Sequence, residues 1–212
     1  MVGEVLILGG YGNFCKRIAA ALLMTVGVAF GQPADYAEWL QAVPGRAEQV
    51  QSFEQFLANE DVGGVLPTDQ LLLNATDWKR CKLEAPYTLA PRTLWPHLVA
   101  TLKFVRDEIV PAIGQVEAES GYREAKLNLC AGGAPKSAHA LFYALDLVPT
   151  KPMTQPNLIS ALCKLHRERG SAYYLGLGFY GGLRFHVDTK GFRLWGSDYH
   201  SGTSPCLRAP PS

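Results

Sequence analysis

Between residues 115 and 196 the chain is cut into short extended pieces. QVEAES, ALDLVP, YLGLGFY, RFHVDT and FRLWG are strand candidates, interrupted by one helix candidate, NLISALCKLHRERG, and by the tight turns Tyr180-Gly181-Gly182 and Thr189-Lys190-Gly191. Strands this short, joined by turns this tight, pair as hairpins; they do not supply the repeated strand and helix alternation of a doubly wound parallel sheet. The fold class expected is therefore α+β: a small antiparallel sheet, ending in a meander, with flanking helices.

The helices are legible from their apolar spacing. AEQVQSFEQFLANE repeats Val50, Phe53 and Leu57, with Phe56 widening the stripe, and should end before Gly63-Gly64. LWPHLVATLKFVRDEIVPAIG starts near Pro96, repeats Leu98, Leu102, Val105 and Ile109, and is closed by Pro111 and Gly114. In the third, Ile159, Leu162, Cys163 and His166 share a face and Gly170 is the stop. A chain of 212 residues with 48% hydrophobic residues can bury a real core as one domain, and a monomer is expected. A net charge of +1 leaves no basic footprint for nucleic acid, and no apolar run is long enough to span a bilayer.

VLILGGYGNFCKRIAAALLM, residues 5–24, supports two readings. Gly10 and Gly12 after an apolar run resemble part of a dinucleotide fingerprint, but Cys15 stands where its third glycine belongs and no acidic residue ends a second strand, so a dinucleotide partner is not expected. Lys16-Arg17, then IAAALLMTVGVAF, then Ala29-Phe30-Gly31 have the order of an export signal. The expected division is a signal peptide with an extended lead over 1–31, a linker over 32–44, a folded domain over 45–200, and a tail over 201–212 that is poorly ordered unless Cys206 is tied down. Export would place the protein in the periplasm or outside the cell. The cysteines form no CxxC pair, which excludes a zinc ribbon; with Cys15 removed, Cys81, Cys130, Cys163 and Cys206 could form two disulfides in any of three connectivities.

Polar residues that a packed core does not ask for concentrate in SGYREAKLN, SAHALFYALD and RFHVDTKGFRLWG. A zinc hydrolase needs three protein ligands of mixed His and carboxylate type and an open position for water; His139, Asp146 and His186 could supply that set. The same segments resemble the zinc D-Ala-D-Ala carboxypeptidases, peptidoglycan peptidases that share a fold with the Hedgehog signalling domain. SAHALFYALD resembles their SxHxxGxAxD motif through Ser137, His139, Ala144 and Asp146; FHVDTKGFRLWG resembles their HVDxRGxRxRWG segment; and SGYREAKLN resembles SGYRxxxxN. The three motifs stand in the family's order over residues 120–196.

The resemblance implies a Hedgehog-type fold, zinc (Zn2+) held by His139, Asp146 and His186, and hydrolysis of peptide bonds in peptidoglycan stem peptides. It implies that Arg123 holds the substrate's terminal carboxylate or stabilises the oxyanion, and that Ser137 hydrogen-bonds near the substrate or a ligand. Two positions depart from the pattern. Phe142 replaces a glycine, and Leu183 and Arg184 stand where the family places an acidic or histidine general base. Acid–base catalysis contributes roughly 100- to 10,000-fold, so the second departure bears on activity. Asp188, two residues after His186 and on the same strand face, is the candidate base or the carboxylate that orients a ligand; His200 could fold back over the site. His166, Glu168 and His97 read as structural or solvent-facing. Two competitors follow: a zinc-stabilised module that binds cell-wall peptide without cleaving it, and, from Gly10 and Gly12, a nucleotide-binding oxidoreductase.

Overall fold

In a computed structural model the described residues are 34–208; the export signal and the glycine fingerprint expected in 1–31 lie outside them. Helix α1 (Ala34–Gln41) occupies the stretch expected as a linker, and its Tyr36 is fully buried against Trp39 and Tyr87. The stretch from Ala34 expected as a linker instead opens a helix, with Asp35 in its first turn, where an acidic residue is favoured.

Helix α2 (Arg46–Asn59) buries Val50, Phe53 and Leu57, as the spacing requires. After the short α3 (Thr68–Leu71), α4 (Trp95–Phe104) carries Pro96 in its first turn and buries Leu98 and Leu102. It runs into a π-helical turn, Val105–Ile109, and a last turn, α5 (Val110–Ile113), ending at Gly114 with φ 85°. Pro111 does not stop this helix. Its ring would press on the carbonyl one turn back and it has no N–H to donate, and the wider turn directly before it opens the ladder at that point.

The remaining elements are β1 (Val116–Ser120), α6 (Ala125–Cys130), β2 (Ala144–Pro149), α7 (Gln155–Glu168), β3 (Gly176–Phe179), β4 (Phe185–Asp188) and β5 (Arg193–Trp195). Thr154 caps α7, its hydroxyl accepting from the Asn157 N–H at 3.3 Å, and the helix buries Leu158, Leu162, Cys163 and His166 with Ile159 at the margin.

The five strands form one sheet in the order β1-β2-β4-β3-β5. β1 with β2, β2 with β4 and β4 with β3 are antiparallel, but β5 runs parallel to β3, so the sheet is mixed and not the all-antiparallel meander expected. The reason is topological. Both edges of β4 are already paired, and the short turn after it reverses the chain, so β5 reaches the free edge of β3 pointing the same way as β3.

Pairing register sorts the side chains by face, since successive residues of a strand point to opposite sides. Leu145, Leu147, Leu177, Phe179, Phe185 and Val187 join the core with α2, α4 and α7. The alternate positions, Ala144, Asp146, Gly176, Gly178, His186 and Asp188, make up the other face, with Asp146 opposite His186 and Gly178 opposite His186 on the other side. Strand positions on both faces are buried, one set under helices and the other under polar partners.

The disulfides are Cys81–Cys130 and Cys163–Cys206. The second ties the short turn Pro205–Leu207 to α7, so Cys206 is tied down. Among the described residues no helix is long and apolar enough to cross a membrane, and the two disulfides are compatible with an extracellular location.

Candidate metal centre

His139 heads a single helical turn, His139–Leu141, between α6 and β2; Asp146 lies in β2 and His186 in β4. All three are buried. Asp146 and His186 are brought side by side by the β2–β4 register, and His139 is swung over them by the turn. The backbone carbonyl of Gly121 can only accept, so at 2.7 Å it fixes the His139 proton on Nδ1 and leaves the lone pair on Nε2. The Asp188 carboxylate, 2.8 Å from His186 Nε2, fixes that proton in the same way and leaves the His186 lone pair on Nδ1.

Both lone pairs then converge on one carboxylate oxygen. His139 Nε2 is 3.1 Å from His186 Nδ1 and 3.1 Å from Asp146 Oδ1, and His186 Nδ1 is 3.0 Å from the same oxygen. Three acceptor atoms this close repel unless positive charge sits among them; the Arg123 guanidinium, donating to His139 Nε2 at 3.1 Å, supplies part of it, and a metal ion or one shared proton would supply the rest. Ligand atoms about 2.0–2.1 Å from a tetrahedral zinc stand about 3.3 Å apart, so the spacing fits zinc with a small expansion. The three residues also form the cluster that could hold a metal.

The other oxygen of Asp146, Oδ2, is held by two guanidinium groups, Arg123 Nη2 at 2.6 Å and Arg184 Nη2 at 2.7 Å. Arg123 is itself braced by Ser120 Oγ at 3.0 Å and the Asn74 carbonyl at 3.3 Å. Arg184 lies over the Tyr180 ring at 4.8 Å, and the Tyr180 hydroxyl donates to Asp146 Oδ1 at 3.0 Å. Asp188 accepts from His186, from the Lys190 N–H at 2.9 Å, and from both terminal nitrogens of Arg193 at 2.6 and 3.0 Å.

These contacts set the ionisation. Burial pushes His139 down to about 4, with the neighbouring Arg123 charge in the same direction and Asp146 against it. Burial also works against the charge on His186, but hydrogen bonds to Asp146 and Asp188 outweigh it and raise the pKa. Burial disfavours the charge on Asp146 too, yet the two histidines hold it well below the usual carboxylate range; Asp188 is lowered, with His186 and Arg193 overcoming its burial. Burial first, and the Asp146 charge second, push the Tyr180 hydroxyl upward.

A cleft of about 580 Å³ opens on the two histidine ligands, and Arg123, Ser137, His139, His186, Tyr180 and Trp195 are among its walls. Of the residues expected at the site, Ser137 turns inward, its Oγ accepting the His139 N–H at 3.2 Å. Asp188 does not line the cleft. It stands behind His186 with both oxygens in hydrogen bonds, which corrects its expected role as general base and leaves that of the carboxylate orienting His186. His200 is exposed and outside the cleft lining; His166 packs on Phe192 and reaches the Arg193 carbonyl at 3.2 Å; His97 stacks on Tyr143 and reaches the Leu141 carbonyl at 2.8 Å.

Phe142, in place of the motif's glycine, has φ 57°, the left-handed region that glycine favours, and its ring is fully buried between Phe53 and Tyr122. The strain of about 1–2 kcal/mol is smaller than the roughly 3–5 kcal/mol that a buried phenyl ring contributes, so packing wins.

Sequence reasoning missed Tyr180, Arg193 and the acceptor role of Asn74. The signal for Arg193 was the Gly176-Leu177-Gly178 alternation, since a side chain at Gly176 would meet Arg193 Nη1 at 2.7 Å. Bare positions every second residue mark a strand face over which something else lies. A side chain at Gly178 would meet the Trp195 ring at 1.9 Å, and one at Gly176 would meet Asp188 Oδ2 at 2.2 Å.

No protein-family model, curated protein or solved structure matches this chain.

Proposed function

We propose that His139, Asp146 and His186 hold zinc, and that the cleft beside them is the active site of an exported peptidase of the D-Ala-D-Ala carboxypeptidase type, with a Hedgehog-type fold, acting on peptidoglycan stem peptides. The observation that carries the metal assignment is the convergence of two histidine lone pairs and one carboxylate oxygen at 3.0–3.1 Å, each oriented from behind by Gly121, Asp188, Arg123 and Arg184. The peptidase assignment rests on the three motifs and their order.

When bound, zinc polarises a carbonyl and lowers the pKa of water at its open position. The chain's own residues supply the rest. Arg123, buried beside the ligands yet part of the cleft wall, presents a permanent positive charge to the anionic end of a peptide. Ser137 holds the His139 backbone in place. Tyr180, kept neutral, spends its O–H on Asp146 Oδ1 and so holds that carboxylate in place.

A second reading, a zinc-dependent peptide-binding module, is favoured by one observation: among the described residues no carboxylate lines the cleft, and Arg184, just before β4, occupies the position where a base is expected. Incubating zinc-loaded protein with muropeptides ending in D-Ala-D-Ala separates them. Release of D-Ala supports the enzyme; binding without release supports the module. Purified protein is expected to carry one zinc per chain and to lose it in the His139→Ala, His186→Ala double variant. Retention of the metal by that variant would sink both readings.

A further inference from the structure

Arg123, Lys136, Lys190 and Arg193 are the charged side chains of the cleft wall besides the histidines. Two of these cations are already matched: Arg193 by Asp188 at 2.6 Å, and Arg123 by Asp146 at 2.6 Å. Lys136 and Lys190 are not. Both are exposed, and neither has a carboxylate within ion-pair distance among the described residues.

They come from segments far apart in sequence. Lys136 ends the Gly132-Gly133-Ala134-Pro135 loop, which the Asn128 side chain anchors through the Ala134 carbonyl at 2.9 Å. Lys190 follows β4, its N–H fixed by Asp188 at 2.9 Å, and its ammonium donates to the Lys136 carbonyl. Two like charges gathered at one rim repel each other, and the fold supplies no anion to offset that. The same cleft offers an apolar surface, since Tyr180, Trp195 and Tyr199 pack on one another with ring centroids 5.2, 5.5 and 6.3 Å apart.

We propose that the cleft selects an acidic peptide carrying two carboxylates, one directed to Arg123 beside the metal ligands and a second received at the rim by Lys136 and Lys190. This rests on the reading of the cleft as a peptide site, and it names which peptides the site prefers. Lys136 and Lys190 act on specificity and touch none of the ligand residues' side chains.

The test uses zinc-loaded protein and two synthetic peptides, identical and with free C-termini, in which one internal acidic side chain is either free or amidated. Titration calorimetry is expected to give about tenfold tighter binding of the free acid at low salt. The preference should shrink as salt approaches about 0.5 M, because exposed charges are screened over a few ångströms there. It should fall by part in Lys136→Gln and in Lys190→Gln, and vanish in the double variant, with zinc content unchanged. Equal affinities for the two peptides, or a preference that survives the double substitution, overturn the proposal and leave the peptide reading standing. Failure of both peptides to bind zinc-loaded protein overturns the proposal and the peptide reading together.

Discussion

His186 shows how much of the site's chemistry is decided by the residue behind the ligand. Asp188 holds the proton on Nε2, so the ring can offer Nδ1, but the two carboxylates that orient it also raise its pKa and favour a second proton at that ligand position. On the proposed assignment zinc would have to displace that proton, whereas His139, pushed down to about 4, is neutral across the neutral range. Zinc affinity is therefore expected to climb with pH up to the raised His186 value, above the ordinary histidine value of about 6.5, and to level off beyond it, with close to one proton released per zinc at the acid end. Calorimetry in buffers of different ionisation enthalpy measures the proton count; an affinity flat from about pH 5.5 to 8 would contradict the assignment. In the metal-free chain the signs are opposed. The raised His186 contributes stability below about 6.5 that is lost as pH rises through its folded value, and the depressed His139 contributes stability above about 6.5 that is lost on descent towards 4.

Strand β3 is the element on which the site depends without contributing a ligand. Gly176 and Gly178 leave its site face bare, and Asp188, Arg193 and Trp195 lie across it. Trp195 is enclosed by Tyr180, Tyr199 and His186, at ring distances of 5.2, 5.5 and 5.1 Å, so it has little room to swing away. Gly178→Ala is expected to cost about 1–3 kcal/mol in urea unfolding, as overpacking does, to loosen β5 and to weaken zinc binding; an unchanged midpoint and unchanged tryptophan fluorescence would count against this account. The strands β1 to β4 were legible in the sequence because their alternation and turns are local. The parallel placement of β5 was not, because it depends on which sheet edge remains free after β2 and β3 have flanked β4. The same holds within the site. Three ligand candidates can be read from motif spacing, but that Arg184 and Arg123 meet on one oxygen of Asp146 is a property of the β2–β4 register and of the loop after β1.

Across the whole molecule, covalent links carry a large share of the stability. Each disulfide closes a long loop, with sequence separations of 49 and 43, and the chain-entropy argument assigns about 4 kcal/mol to loops of this size. Cys163→Ser with Cys206→Ser is expected to lower the stability by about 2–4 kcal/mol, a fall in Tm of roughly 5–15 °C, and to expose the residues after Ser201 to protease while leaving zinc stoichiometry intact. Differential scanning calorimetry and limited proteolysis check both parts. The Arg123–Asp146–Arg184 arrangement adds a last consequence. Its guanidinium groups neutralise Asp146 through Oδ2 without any metal, so a chelated chain would keep no uncompensated buried carboxylate. On the proposed zinc assignment, the folded chain is expected to empty and refill, with its occupancy set by the metal concentration of its surroundings instead of being sealed in once at folding.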